Sequence, residues 1–320
     1  MGFFNPRKVE KSYDILGSFS WYVPGFAGIF SILGWFLVGM LVSMVIAVPM
    51  TLSGMQMCYV MLVIYPLQFM PVFIYSRIRS SRNATFERGY RLDSNHFGKK
   101  GGAALAVLAG VGMLAASLML EVVNNFLPEM SEQLKTTMEM MTGGPLVPSL
   151  VCVGVFAPLF EEWMCRGLVL RGLLNYGKGR DGSSRNGKGV SPALAIVISA
   201  LFFAAIHGNL WQGVSAFLIG CLFGYVYYRT GSLKLTMLMH CVNNTFSVLL
   251  SHFGGEAVKE AKTIIDILPL WEYEVLFAVS AAVLWYFVRV LSRIDVENPN
   301  GNNCDMIPSP EDLLGKEEQA

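Results

Sequence analysis

The chain has 320 residues, of which 53% are hydrophobic and 15% are charged, whereas soluble domains are about 25% charged. This composition argues against an ordinary soluble domain and favours a protein embedded in a bilayer. The net charge of +1 gives no reason to expect nucleic acid as a partner.

Apolar segments of membrane-spanning length recur along the chain. A helix needs roughly 20 mostly apolar residues to cross the hydrocarbon core, and Pro49 and Gly54 predict a turn after the first segment. We predict an all-α polytopic membrane protein with eight transmembrane helices. The segments are Phe26–Val48, Met57–Tyr75, Ala103–Leu120, Leu146–Leu174, Pro192–Ile206, Trp211–Tyr228, Leu235–Leu250 and Tyr273–Leu291.

The basic residues predict how these helices are oriented. Lys and Arg are enriched in cytoplasmic loops, and most of them fall on one side of the predicted helices, including the loop from Arg77 to Lys100. The opposite loops contain only Lys135, Lys259 and Lys262. We therefore expect a multi-pass protein of the cell membrane with both termini in the cytoplasm. Its transmembrane helices would contact membrane lipid.

The predicted chain has three regions. Residues 1–145 contain three helices, the basic loop and an outer segment at Pro128–Met141, whereas residues 146–294 contain the polar motifs and a second outer segment at Gly255–Ile267. The composition of residues 295–320 predicts a disordered acidic tail. We interpret both outer segments as short surface helices.

The cysteines and a glycine pair are interpreted as packing features. The cysteines form no CxxC pair, which favours small buried hydrophobic residues over a redox or metal site. Gly220 and Gly224 form a GxxxG pattern that allows two helices to approach closely. The cysteines are Cys58, Cys152, Cys165, Cys221, Cys241 and Cys304.

Charged residues inside apolar helices are costly and usually functional. The fourth predicted helix contains an EExxxR motif formed by Glu161, Glu162 and Arg166. At about 100° per residue, Glu162 and Arg166 share a helix face, whereas Glu161 points elsewhere. We expect Arg166 to pair with Glu162, and this leaves Glu161 free for proton chemistry.

Two further polar motifs follow. The fifth predicted helix ends in an FxxxH motif with His207, and the seventh contains an HxxxN motif with His240 and Asn244 on one face. Each motif alone is more typical of a satisfied core histidine or a solvated ion pair. Their occurrence together predicts one buried polar site among the fourth, fifth and seventh helices.

The motifs EExxxR, FxxxH and HxxxN, in this order, resemble those of the CAAX-type endopeptidases, also called the CPBP or Abi family. The stretch Tyr228-Arg-Thr-Gly-Ser-Leu is similar as well. The resemblance covers about Ser149 to Leu250 and implies that residues 146–294 form the core of an intramembrane protease. Its substrate would be a peptide or protein associated with the membrane.

The resemblance also implies roles for the site residues. Glu161 and His207 would activate water, and His240 and Asn244 would stabilise the oxyanion. Glu162 and Arg166 would support the site.

Three alternatives stay open. Members of the family are often labelled metalloproteases, and Glu161, His207 and His240 are possible zinc ligands, although no HExxH motif is present. We expect no metal cofactor. A transporter, or a non-catalytic immunity or scaffold protein, is also compatible with intramembrane charges.

A count of helix rise gives conflicting depths for the site. Glu161 lies roughly 15 Å from Arg171 and His240 roughly 9 Å from Lys234, whereas His207 lies roughly 24 Å from Ser191. The first two depths agree with one site, but the third places His207 towards the opposite face.

Overall fold

The computed structural model describes residues 22–82, 92–94, 97, 101–176 and 189–296. The tail was predicted at residues 295–320, and its residues 297–320 lie outside these ranges, as do most of the predicted basic loops. Every regular element within them is helical, as predicted. The helices are α1 (Phe26–Leu52), α2 (Met57–Arg82), α3 (Gly102–Phe126), α4 (Glu132–Thr142), α5 (Leu146–Asn175), α6 (Pro192–Ala205), α7 (Leu210–Thr230), α8 (Leu233–Phe253), α9 (Gly255–Glu260) and α10 (Leu270–Leu291), with a 3-10 turn at Ile264–Asp266.

Six of these helices are long and apolar enough to cross a membrane, namely α1, α2, α3, α5, α7 and α10. The other two predicted spans differ from them for different reasons. Helix α6 has only 14 residues, and α8 has 21 residues but contains His240, Asn243 and Asn244. The chain is therefore an all-α multi-pass membrane protein. The FxxxH motif begins in α6 at Phe203 and ends in the turn after it, and α8 contains the HxxxN motif.

The predicted turn at Pro49 is wrong. Pro49 lies inside α1, which continues to Leu52, and the chain reverses at Gly54, where φ is +82°. A proline in the last turn of a helix removes only one backbone hydrogen bond, so α1 extends past it. Gly54 adopts the left-handed backbone conformation in the turn between α1 and α2.

Helix α5 is not a uniform α-helix. It contains two π-helical segments, Leu150–Phe156 and Trp163–Leu170, on either side of a short α-helical stretch. In the first of these segments the N–H of Ala157 donates to the carbonyl of Cys152, five residues earlier. In that register the carbonyl of Val153 faces residue 158, which is a proline without an N–H.

Close packing and buried hydrogen bonds fix the helices around α5. A Cβ added at Gly220 would lie 3.1 Å from the Cβ of Ala200, and one at Gly224 would lie 2.9 Å from Ile196 Cγ2, so the GxxxG pattern of α7 packs directly on α6. The side chain of Ser232 caps the N-terminus of α8. Asp93 supports the same end by accepting a hydrogen bond from the Lys234 backbone at 3.1 Å.

Candidate active site

The centre of the polar site is a buried ion pair on α5. Arg166 donates from Nη1 to Glu162 Oε1 at 2.8 Å, and both side chains are fully buried. This is the pairing that the i,i+4 spacing predicts. Arg166 Nη2 also donates to the Gly220 carbonyl of α7 at 2.9 Å, and its guanidinium lies over the ring of Phe203 at 4.5 Å. Arg166 therefore links α5 to both α6 and α7.

Glu161 faces other partners. The hydroxyl of Tyr65 on α2 donates to Glu161 Oε1, and Glu161 Oε2 lies 3.9 Å from His240 Nε2 on α8. Arg166 does not reach this carboxylate. Glu161 is thus buried and oriented by a neutral donor, and one oxygen remains directed towards the histidine.

His240 connects the two glutamates. Its Nδ1 lies 3.1 Å from Glu162 Oε1 and its Nε2 faces Glu161. A carboxylate can only accept, so with Glu162 paired to Arg166 as a carboxylate, His240 Nδ1 is the donor in this contact. Phe203 and Phe223 enclose the imidazole, with ring centroids 5.7 Å and 5.4 Å away.

His207 lies in the turn after α6, next to the same aromatic ring. Its Nδ1 donates to the Phe203 carbonyl at 2.8 Å, and its ring meets the Phe203 ring edge-on at 5.0 Å. A carbonyl only accepts, so in the neutral ring Nδ1 carries the proton and Nε2 has a free lone pair. No direct hydrogen bond or ion pair joins His207 to Glu161, two residues that the structure describes fully.

These contacts bring His207 next to Phe203, the same ring that packs against His240. Ser199 on α6 donates to the Cys165 carbonyl on α5 at 2.9 Å, and Phe203, one turn further along α6, contacts His240. Helix α6 ends at Ala205, and the His207 ring folds back onto Phe203. The counts of helix rise therefore do not separate His207 from His240 within the helix bundle.

Asn244 lies one turn after His240 and contacts the π-helical segment of α5. Its Nδ2 donates to the Val153 carbonyl at 2.9 Å. In the π-helical register this carbonyl would accept from the backbone of residue 158, but Pro158 has no N–H. Its Oδ1 accepts from Asn243 Nδ2 at 3.1 Å, and Asn243 accepts from Ser117 on α3 at 2.6 Å. This chain of hydrogen bonds fixes the Asn244 amide and leaves its second N–H available.

Sequence reasoning did not identify three of these partners, Tyr65, Asn243 and Ser117. Tyr65 is one of several tyrosines in apolar helices, and only the packing of α2 on α5 brings it to Glu161. Asn243 could have been identified, because a polar amide beside Asn244 in an apolar helix indicates a functional position.

The described side chains of the site do not converge on one point as zinc ligands would. Zinc requires three or four converging ligands, and the described residues include no group of three or more His, Cys, Asp or Glu side chains placed to hold a metal ion. Glu162 Oε1 already accepts from Arg166 and His240. The possible ligand set of Glu161, His207 and His240 is therefore not assembled.

Comparisons with known proteins support the resemblance carried by the motifs. Residues 143–246 match the family described as type II CAAX prenyl endopeptidase Rce1-like. The chain is also 28% identical over 109 residues to the membrane-embedded CAAX protease MroQ of Staphylococcus aureus (strain USA300). That match covers 34% of this chain and 41% of the length of the relative. No solved structure matches the chain.

Proposed function

We propose that this protein is an intramembrane endopeptidase that hydrolyses a peptide bond of a membrane-associated protein or peptide. The observation that carries the proposal is the position of Glu161. Its buried carboxylate does not pair with Arg166, and its Oε2 lies 3.9 Å from His240 Nε2. The match of residues 143–246 to the CAAX prenyl endopeptidase family supports the reaction class.

Glu161 is the proposed general base. Tyr65 holds Oε1, so Oε2 is the oxygen that can take a proton from an attacking water. His207 Nε2 has a free lone pair because Nδ1 donates to Phe203. A water held between Glu161 and His207 would attack the carbonyl carbon, and the proton it loses would remain on one of these two groups.

His240 and Asn244 are the proposed oxyanion donors. In this proposal His240 Nδ1 donates its hydrogen bond to Glu162. A second hydrogen bond donated from Nε2 therefore requires the imidazolium form, which carries a proton on both ring nitrogens. With His240 protonated, two carboxylates are balanced by Arg166 and His240, and the buried cluster is neutral. The second N–H of Asn244 supplies the other donor.

Collapse of the tetrahedral intermediate breaks the C–N bond and requires a proton on the leaving amine. The proton taken from water, held on Glu161 or His207, is returned to that nitrogen. The products are a free carboxylate and a free amine. Atoms balance with water as the only co-reactant. We propose that the reaction needs no metal ion, because Glu161 and His207 supply the base and His240 and Asn244 supply the oxyanion donors.

Orientation is part of the proposal. The distribution of Lys and Arg favours cytoplasmic termini, and protease protection of a tag at either end in sealed vesicles would test it. Tags that are protected in inside-out vesicles would contradict this orientation. The resemblance does not restrict the substrate to prenylated proteins.

Comparison of membrane proteomes tests the activity itself. Cells carrying the wild-type protein, Glu161→Gln or Glu139→Gln are compared by sequencing new N-termini in the membrane fraction. Glu139 is an exposed carboxylate on α4 and serves as the control. We expect a set of cleaved fragments that is lost with Glu161→Gln and retained with Glu139→Gln. Fragments that persist with Glu161→Gln, in folded protein at wild-type levels, would contradict the proposal.

A further inference from the structure

A cavity of about 650 Å³ lies where the last turns of α10 face Phe97, the described residue before α3. It is open to the surface, because its lining residues Trp285, Arg289 and Arg293 are exposed. Two arginines, Arg289 and Arg293, and two aromatic residues of α10, Trp285 and Tyr286, line it. None of these residues belongs to the polar site around Glu161.

The two arginines give the cavity a cationic end. Arg289 lies in the last turn of α10 and Arg293 lies two residues after its end; both are exposed and line the same cavity. Among the described residues, no carboxylate lies within ion-pair distance of either guanidinium. Like charges that line one cavity repel each other, and an anion between them would relieve that repulsion.

Arg229 at the same end of the bundle has a different role. It donates to the carbonyls of Leu291 at 3.1 Å and Ser292 at 2.8 Å, and so caps the C-terminus of α10. The carbonyls that a basic side chain would stabilise at this helix end are therefore already satisfied. Arg289 and Arg293 are not needed as caps and are free to bind a ligand.

Aromatic residues form the other part of the cavity. Trp285 is 68% exposed and Tyr286 is 45% exposed on the outer face of α10, and such residues mark the level of lipid headgroups. Phe97 closes the side next to α3. A free phosphate ion would contact only the arginines, whereas an amphipathic anion would use both parts.

We propose that this cavity binds the headgroup of an anionic phospholipid, with the phosphate between Arg289 and Arg293 and the glycerol region against Trp285. Juxtamembrane basic residues attract anionic lipids, and basic pockets between transmembrane helices bind their headgroups. The proposal does not depend on peptidase activity.

Lipid retention by the purified protein tests the site. Protein in zwitterionic micelles is incubated with phosphatidylglycerol or with phosphatidylcholine of the same chain length, and native mass spectrometry counts the bound lipids. We expect retention of phosphatidylglycerol alone. In Arg289→Gln/Arg293→Gln the affinity for phosphatidylglycerol falls roughly thirtyfold, the expected effect of two basic residues near the headgroup.

Three controls separate the site from general surface charge. Arg77→Gln removes an exposed cation from α2 and should leave retention unchanged. Arg289→Lys/Arg293→Lys keeps both charges and should retain most of the binding, which separates the loss of charge from the replacement of arginine at these two positions. Inorganic phosphate at a concentration matching the lipid should not displace it. Equal loss with Arg77→Gln, undiminished retention in the double Gln variant, or displacement by phosphate would each overturn the proposal.

Discussion

Removal of Arg166 should destabilise the protein more than any change at an exposed ion pair. In Arg166→Met, Glu162 keeps only His240 as a partner and the Gly220 carbonyl loses a donor. Breaking a fully buried pair by removing one partner costs about 3–5 kcal/mol. The double variant Glu162→Gln/Arg166→Met also removes the carboxylate charge that Arg166→Met leaves buried. Its loss of stability should therefore be smaller than the summed losses of Glu162→Gln and Arg166→Met, by at least about 1 kcal/mol.

The assay is the free energy of unfolding from titration with sodium dodecyl sulfate in mixed micelles. The control is Lys135→Met at the exposed Lys135–Glu132 pair, which should change stability by less than about 1 kcal/mol. Arg166→Lys keeps the charge but loses the planar guanidinium, so its cost should be intermediate. An Arg166→Met protein within about 1 kcal/mol of wild type, or strictly additive costs, would refute the reasoning.

Three further predictions concern neighbouring features. Tyr65→Phe removes the hydrogen bond to Glu161 and should lower kcat by one to two orders of magnitude with little change in KM; an unchanged kcat would deny Tyr65 a positioning role. Gly220→Ala should cost about 1–3 kcal/mol of stability because α6 packs on it, whereas Gly34→Ala in open space on α1 should be neutral or stabilising. Treatment with a zinc chelator should leave peptidase activity intact and the purified protein free of stoichiometric metal; loss of activity restored by zinc would contradict the metal-free mechanism.

The different partners of the two adjacent glutamates follow from helix geometry alone. An offset of about 100° per residue separates Glu161 from Glu162, and the i,i+4 spacing assigns Arg166 to Glu162. The structure contains this pair and directs Glu161 towards α2 and α8. Local periodicity was sufficient here because all three residues lie on one helix.

The remaining contacts of the site depend on packing between distant segments. Tyr65 and Glu161 are 96 residues apart, and nothing in an apolar helix distinguishes this tyrosine from Tyr59 or Tyr75. The link from Asn244 to Val153 depends on a π-helical register that periodicity at 3.6 residues per turn does not predict. Pro158 accounts for it only once that register is known.

The most direct test of the account is the single-turnover cleavage rate of purified, folded Glu161→Gln protein with a membrane peptide substrate identified by the proteome comparison. Glutamine preserves the shape of the side chain and its hydrogen bond with Tyr65 but cannot accept the proton from water. We expect cleavage to fall by at least about a hundredfold, the usual contribution of a general base, while Glu139→Gln cleaves at the wild-type rate. Wild-type cleavage by Glu161→Gln would contradict the central claim that Glu161 activates water.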